Sequence, residues 1–185
     1  MEYFSQYPSP VGNLLLLGDD TGLCEILFNR ENKSIDSIKA KYEQRETPVL
    51  KQGKEWLDIY FSGKEPDFTP KLHLKGTAFR LAVWELLLQI PYGKTTTYGE
   101  IAAKIAAKRG IERMSARAVG GAVGHNPVPV IVPCHRVVGA DNSLTGFTGG
   151  MDIKYRLLEL EGFDMGQFTV RRKTKNDLHI SGGWR

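Results

Sequence analysis

The chain has 185 residues, 41% of them hydrophobic and 25% charged, with a formal net charge of +4. These are ordinary values for one large or two small globular domains with a sizeable core. No apolar run approaches the length of a bilayer span, which excludes a helical membrane protein.

Met1-Glu2-Tyr3-Phe4-Ser5 has no basic stretch followed by an apolar one, so no secretory leader is expected. Cys24 and Cys134 lie far apart and form no metal-like spacing with His73, His125, His135 or His179. The expectation is a reduced, cytosol-like compartment with no zinc site, no metal and no cofactor. Charge is uneven along the chain. Residues 1–75 carry 10 Lys and Arg against 12 Asp and Glu, a net −2, whereas residues 76–185 carry 15 against 9, a net +6. A basic second part suits a polyanion, although a solvated basic face would have the same composition.

In chain order, residues 3–29 read as strands, with turns at Pro8-Ser9-Pro10 and Gly18-Asp19-Asp20-Thr21-Gly22. Leu14–Leu17 and Leu23–Phe28 form the arms of a hairpin. Cys24 is placed beside Ile26 and Phe28 on the apolar face, as a core cysteine. Residues 33–43 and 47–62 read as helices, the second built on Leu50, Trp56, Leu57, Tyr60 and Phe61. Residues 63–75, with Pro66 and Pro70, read as an extended linker. The domain boundary is set within it, giving segments 1–72 and 73–185.

The second segment reads as mainly helical. Thr77 caps a helix through Phe79, Leu81, Ala82, Trp84, Leu87 and Leu88, stopped by Pro91-Tyr92-Gly93. A short helix over 98–107 rests on Ile101, Ala102 and Ile105 and breaks at Lys108-Arg109-Gly110. Ser115 caps a further helix over 116–123, and a last helix over 152–161 ends at Gly162. The tail contains Arg171-Arg172-Lys173 and Ser181-Gly182-Gly183.

Two features carry chemistry. Helix, glycine-containing connection and helix over 98–123 match a helix-turn-helix. Its second helix is slim, with Ala116, Ala118, Gly120, Gly121 and Ala122, and Arg117 projects from it. Two internal glycines cost about 1 kcal/mol each relative to alanine, so close approach of another surface must compensate. That surface is either DNA or the protein core.

The second feature is Pro133-Cys134-His135-Arg136, entered through the stiff run Pro127–Val132. Thiolate is the reactive form of cysteine, and Arg136 or an imidazole could lower the thiol pKa. On a strand Cys134 and His135 would face opposite ways, so a turn or a bridging water is needed to connect them. A DNA-reading helix that leads into a thiol implies chemistry on DNA. A thiol reaches a base only when the nucleotide is flipped out of the duplex.

Arg117–Ala122, Asn126-Pro127-Val128-Pro129, Pro133–Val137, Gly149-Gly150 and Leu158–Gly162 together resemble the O6-alkylguanine-DNA alkyltransferases, also called methylated-DNA–protein-cysteine methyltransferases. The match covers residues 77–163 closely, and the N-terminal part resembles the family's companion domain. The resemblance implies that Cys134 attacks the O6-alkyl carbon of a flipped guanine and keeps the alkyl group as a thioether. It implies that His135 is the base, through a water, and that Glu161 orients it. Tyr98 then donates toward the departing guanine, Asn126 braces the turn before the active-site segment, and Arg117 replaces the flipped nucleotide. Ser115, Ala116, Ala118 and Gly120 line the DNA face, and main-chain groups near Val137 and Thr148 hold the base edge.

Taken alone, Tyr98 could be a packing residue, Glu161 a solvated helix-end charge and Asn126 a simple turn. His125, Phe147 and Thr148 differ from residues common in the family, which bears on pocket size and grip on DNA. The expected fold is α/β (α+β), an N-terminal antiparallel sheet with helices beside a C-terminal helical domain. The expected partner is double-stranded DNA containing O6-alkylguanine, met by a monomer in the cytoplasm, or the nucleus of a eukaryote. A non-catalytic damage sensor and a Cys-His hydrolase remain as alternatives; the hydrolase would need oxyanion donors that the sequence does not identify.

Overall fold

The computed structural model describes residues 2–28 and 35–170. Strands β1 (Glu2–Ser9), β2 (Gly12–Asp19) and β3 (Leu23–Phe28) form an antiparallel meander. A two-residue strand β4 (Glu43–Gln44) joins β1 in parallel, giving the order β3-β2-β1-β4. The run Leu14–Leu17 is buried throughout because this sheet is covered on both faces. Leu14 and Leu16 join the main core, while Leu15 and Leu17 pack with Phe4, Leu27, Ile38 and Tyr42 on the other side.

The helix expected over 33–43 ends early. Helix α1 (Ile35–Lys39) stops at Lys39, after which Lys41 and Tyr42 turn back onto the Ile38 carbonyl, and residues 33–34 lie outside the described residues. Pairing of β4 with the edge of β1 wins over local helix propensity at this point. Helix α2 (Pro48–Phe61) agrees with expectation. Thr47 caps it, accepting from the Leu50 amide, and Leu50, Trp56, Leu57 and Tyr60 are buried.

Helix α3 (Ala78–Leu87) presents Val83, Trp84 and Leu87 to the core, whereas Leu81 and Leu88 are exposed. The Trp84 indole N–H donates to the Ala122 carbonyl at 2.9 Å, which ties α3 to the helix that contains Ala122. Helix α4 (Tyr98–Arg109) runs two residues beyond the expected end. It starts at a reciprocal capping box of Thr97 and Glu100 and stops at Gly110, whose φ of 63° suits a residue without Cβ. Helix α5 (Ala116–Gly124) is capped by Ser115, and α6 (Met151–Leu160) follows Gly150.

Two short parallel pairings fix the second half. β5 (Thr96–Thr97) pairs with β6 (Val137–Val138), and β7 (Ser143–Leu144) pairs with β8 (Thr169–Val170). The first sets the start of α4 beside the segment that follows Cys134. One hydrophobic cluster runs from Tyr7, Leu16 and Tyr60 through Trp84 and Val119 to Cys134. The Ile26 amide also donates to the Pro127 carbonyl at 2.8 Å, so β3 touches the segment leading to the thiol. Among the described residues no helix is long and apolar enough to cross a membrane. The basic and glycine motifs of the tail, at 171–173 and 181–183, lie outside the described residues.

Cys24 is not a core cysteine. It is half-buried in a concavity of mixed lining, with Glu2, Leu17, Glu25, Tyr42, Lys75 and Pro127, because the β2–β3 register shifts between Leu17 and Gly18. A bridge between Leu23 and Leu72 brings the linker alongside β3, so ligand-type atoms of Asp19, Cys24 and His73 lie within 4.8 Å of one another. Sequence spacing concealed this grouping. The Asp19 carboxylate is already engaged by His73 Nδ1 at 2.7 Å, Lys75 Nζ at 3.3 Å and the amides of Thr21 and Gly22. Burial opposes ionisation of Asp19, but these donors hold it well below the usual carboxylate range. Burial, then Asp19, pushes the Cys24 thiol up to about 11.

Candidate active site

The approach to the thiol is rigid by construction. Val128, Val130, Ile131 and Val132 are buried, and Pro129 bridges to Val132. Val130 has a φ of 76°, a region a β-branched residue occupies only when its surroundings leave no alternative. Asn126 supplies part of that constraint. Its side-chain amide donates to the Val132 carbonyl at 2.7 Å and to Cys134 Sγ at 3.1 Å, and its oxygen accepts from the Val128 amide at 3.1 Å.

Cys134–Arg136 is a single 3-10 turn and not a strand, so the sidedness expected of a strand does not apply. His135 is fully buried, and its Nε2 lies 2.7 Å from Glu161 Oε1. Its Nδ1 has no hydrogen-bond partner among the described protein atoms. With Nε2–H given to the carboxylate, Nδ1 carries the lone pair. Burial pushes the imidazole below its ordinary pKa, against the pull of Glu161, so it is a neutral base at pH 7.

Glu161 closes α6 at its C-cap and is not a solvated helix-end charge. Its side chain has no exposed surface, and it accepts from Arg136 Nε at 2.9 Å, Arg136 Nη2 at 3.0 Å and the Gly93 amide at 3.1 Å. Burial would raise its carboxyl, but His135 and Arg136 together bring it down to about 2. Arg136 is committed here and to the Ile90 carbonyl at 2.6 Å. The expectation that Arg136 lowers the thiol pKa is therefore incorrect. Burial dominates and pushes Cys134 up to about 11, with the Asn126 amide and Lys154 opposing. At pH 7 only about one molecule in 10⁴ would carry a resting thiolate at such a pKa.

Lys154, on α6, escaped the sequence reading. It is wholly buried, and its ammonium donates to the carbonyls of Val137 at 2.6 Å and Thr145 at 3.1 Å. Burial pushes its pKa down to about 8, with the Cys134 charge opposing. An apolar stripe of Ile153, Leu157 and Leu158 on the same helix was the available signal, since Lys154 interrupts it. Thr145 was missed too. Its hydroxyl donates to Tyr98 Oη at 3.0 Å, which leaves the Tyr98 proton free for another acceptor. Burial raises the Tyr98 pKa, and the Thr145 donor opposes that rise.

The helix pair α4–α5 presents Ser115, Ala116, Arg117, Ala118 and Gly121 at the surface, with Val119, Ala122 and Val123 turned inward. A Cβ placed on Gly120 would touch the Tyr98 ring at 3.7 Å, while one on Gly121 would meet nothing within 4 Å. A contact of 3.7 Å is ordinary van der Waals contact, so packing inside the described protein requires glycine at neither position. Thr148 is exposed and donates to the Gly124 carbonyl at 3.2 Å, away from the thiol's own partners. Val137 is buried, with its carbonyl already accepting from Lys154.

Known proteins resemble this chain in sequence and fold over most of its length. Residues 78–163 match the 6-O-methylguanine DNA methyltransferase DNA-binding domain, and residues 3–74 match the ribonuclease-like domain of the same proteins. The methylated-DNA–protein-cysteine methyltransferase of Methanosarcina acetivorans is 42% identical over 160 residues, 86% of this chain and 98% of that one. Its Haemophilus influenzae counterpart is also 42% identical over 160 residues, 86% of each chain. The crystal structure of Mycobacterium tuberculosis OGT in complex with DNA superposes with a TM-score of 0.71 at 39% identity, covering 86% of this chain and 92% of that one. An O6-methylguanine DNA methyltransferase from Methanococcus jannaschii gives a TM-score of 0.60 at 30% identity, covering 93% and 99%. With both halves matched in order and the α+β fold shared, the chain belongs to the 6-O-methylguanine DNA methyltransferase family.

Proposed function

We propose that the family's reaction, repair of DNA by alkyl transfer to a protein cysteine, is carried out in this chain by Cys134. The observation that carries the residue assignment is the juxtaposition at the 3-10 turn. A buried thiol held by Asn126 lies next in sequence to a neutral imidazole whose Nδ1 is unpartnered and whose Nε2 is anchored on Glu161.

The steps follow from that geometry. An O6-alkylguanine leaves the duplex and enters beside Cys134, since a stacked base is out of reach. His135 Nδ1 takes the thiol proton through a water. The thiolate attacks the alkyl carbon, the C–S bond forms, and the C–O6 bond breaks with its electron pair passing to guanine. Tyr98, whose oxygen accepts from Thr145 and whose proton is therefore free, donates a hydrogen bond or proton to the leaving base, which needs one because a free guanine anion leaves poorly. The Lys154 ammonium adds a fixed positive charge near the developing thiolate. Asn126 holds the sulfur in place throughout.

The product thioether has no easy hydrolysis route, so each molecule reacts once. Arg117 enters the space left by the flipped nucleotide, and Ser115, Ala116, Ala118 and Gly120 line the helix that meets the groove. A slim helix suits a minor groove about 6 Å wide. Main-chain groups near Val137 and Thr148 hold the base edge. In this reading the chain acts as a cytoplasmic monomer, residues 1–72 serve as companion domain and residues 73–185 bind DNA. The test is Cys134→Ala mixed with duplex containing O6-methylguanine. Binding persists and transfer vanishes if the assignment holds; transfer by the variant would contradict it.

A further inference from the structure

The relay contains one group from the N-terminal half of the chain. Tyr60, on α2, is fully buried, and its hydroxyl donates to Glu161 Oε1 at 2.9 Å. The same hydroxyl lies 3.2 Å from His135 Nε2. Three groups, from residues 60, 135 and 161, thus close a triangle around one imidazole edge.

The geometry of that triangle decides a tautomer. Once the Tyr60 proton is given to the carboxylate, only the lone pairs of its oxygen can face the imidazole. Nε2 is then flanked by two acceptors, Glu161 Oε1 and Tyr60 Oη, and must carry the proton. That leaves Nδ1 as the lone-pair nitrogen, the one without a partner among the described residues. A single carboxylate can exchange roles with an imidazole by taking its proton. A second acceptor, of a phenol whose pKa burial and Glu161 hold well above its usual range, cannot.

We infer that Tyr60 is a positioning residue of the proton relay, holding Glu161 and the Nε2–H tautomer of His135, so that residues 1–72 complete the reactive site and do more than support it. The inference rests on the assignment of His135 as the base. The charged and titratable groups that face His135 are Glu161, Tyr60, Arg136 and Lys154, and those that face Tyr60 are Glu161, His135, Arg136 and Tyr92.

Tyr60→Phe removes one oxygen and leaves the ring contacts with Trp56, Phe61 and Tyr92. Two effects oppose each other. Losing a donor makes Glu161 more attractive to the imidazole proton, and losing an acceptor makes Nε2–H less comfortable. The bond to the carboxylate is charge-assisted and shorter, so the first wins. His135 should become easier to protonate.

The experiment is single-turnover methyl transfer from labelled O6-methylguanine duplex, at saturating DNA, from pH 5.5 to 9, for the full wild-type chain and Tyr60→Phe. The acid limb is expected to move to higher pH by about 0.5–1 unit, with transfer on that limb reduced several-fold at a given pH and DNA affinity unchanged. A profile that superposes on wild type, or moves to lower pH, overturns the inference even if melting temperature falls. If the variant does not fold, the histidine ring nitrogens of the wild-type protein decide by NMR: a protonated Nε2 at His135 supports the inference, and a protonated Nδ1 overturns it. Absence of transfer by wild type would instead implicate the function assignment itself.

Discussion

Asn126 and Cys134 are joined by a 3.1 Å hydrogen bond from side-chain amide to sulfur, made across eight residues of buried, proline-rich backbone. The amide favours thiolate over thiol in a site where burial does the opposite. Asn126→Asp keeps the shape and removes the donor. Its thiol should titrate higher by about 1 unit, and iodoacetamide should modify it about tenfold more slowly at pH 8. An unchanged alkylation profile would show that the bond has no bearing on the sulfur's ionisation.

Glu161 bears on stability as well as chemistry. Its folded pKa, near 2, lies below the ordinary carboxylate value of 4.5. The folded state therefore binds fewer protons in that interval. Its contribution is fully present above pH 4.5 and is lost as pH falls toward 2. Glu161→Gln leaves Arg136 buried without its counter-charge, and the expected cost is about 3–5 kcal/mol. Urea melts at pH 7 and pH 3 check both statements, because the variant should lack the part of wild type's loss that Glu161 contributes, while Asp19 keeps its own.

Lys154→Met tests the buried cation. Two carbonyls, of Val137 and Thr145, lose their donor, and the sulfur loses a nearby positive charge. The thiol pKa should rise and transfer at pH 7 should fall by about tenfold or more. The folded pKa of Lys154, about 8, is depressed from 10.5, so in wild type this group adds stability as pH rises from 8 to 10.5. That increment should be absent from melts of the variant.

The helix face separates folding from DNA binding. Gly121→Ala meets no atom within 4 Å and should stabilise the protein by about 0.5–1 kcal/mol through helix propensity. The same methyl group would obstruct close approach of DNA and weaken binding, as measured by fluorescence anisotropy. Tighter binding would show that Gly121 does not face the groove. Arg117→Ala should retain fold stability and lower the transfer rate with duplex substrate more than with a free O6-alkylguanine base.

The helices, their caps at Thr77 and Ser115 and the order of motifs around Cys134 could be read in the sequence because each depends on neighbours within a few residues. The β4 pairing could not, since it is an edge interaction between Tyr3 and Glu43 that overrides a local helical pattern. The approximate 3.6-residue periodicity placed Leu81 and Leu88 inside α3, whereas Trp84 sets that helix's inner face through its bond to Ala122. Tyr60 and Lys154 were unreadable as site residues for a similar reason. One sits in an aromatic core stripe and the other interrupts the apolar stripe of α6, and their roles arise only where α2, α6 and the Cys134 turn converge.

The most direct measurement is to titrate the protein with duplex DNA carrying one methyl-labelled O6-methylguanine and map the label by peptide mass. Saturation is expected at one methyl per protein, located on Cys134 as a stable thioether. Label that stays on bound DNA, continues to turn over beyond one equivalent, or settles on another residue would contradict it.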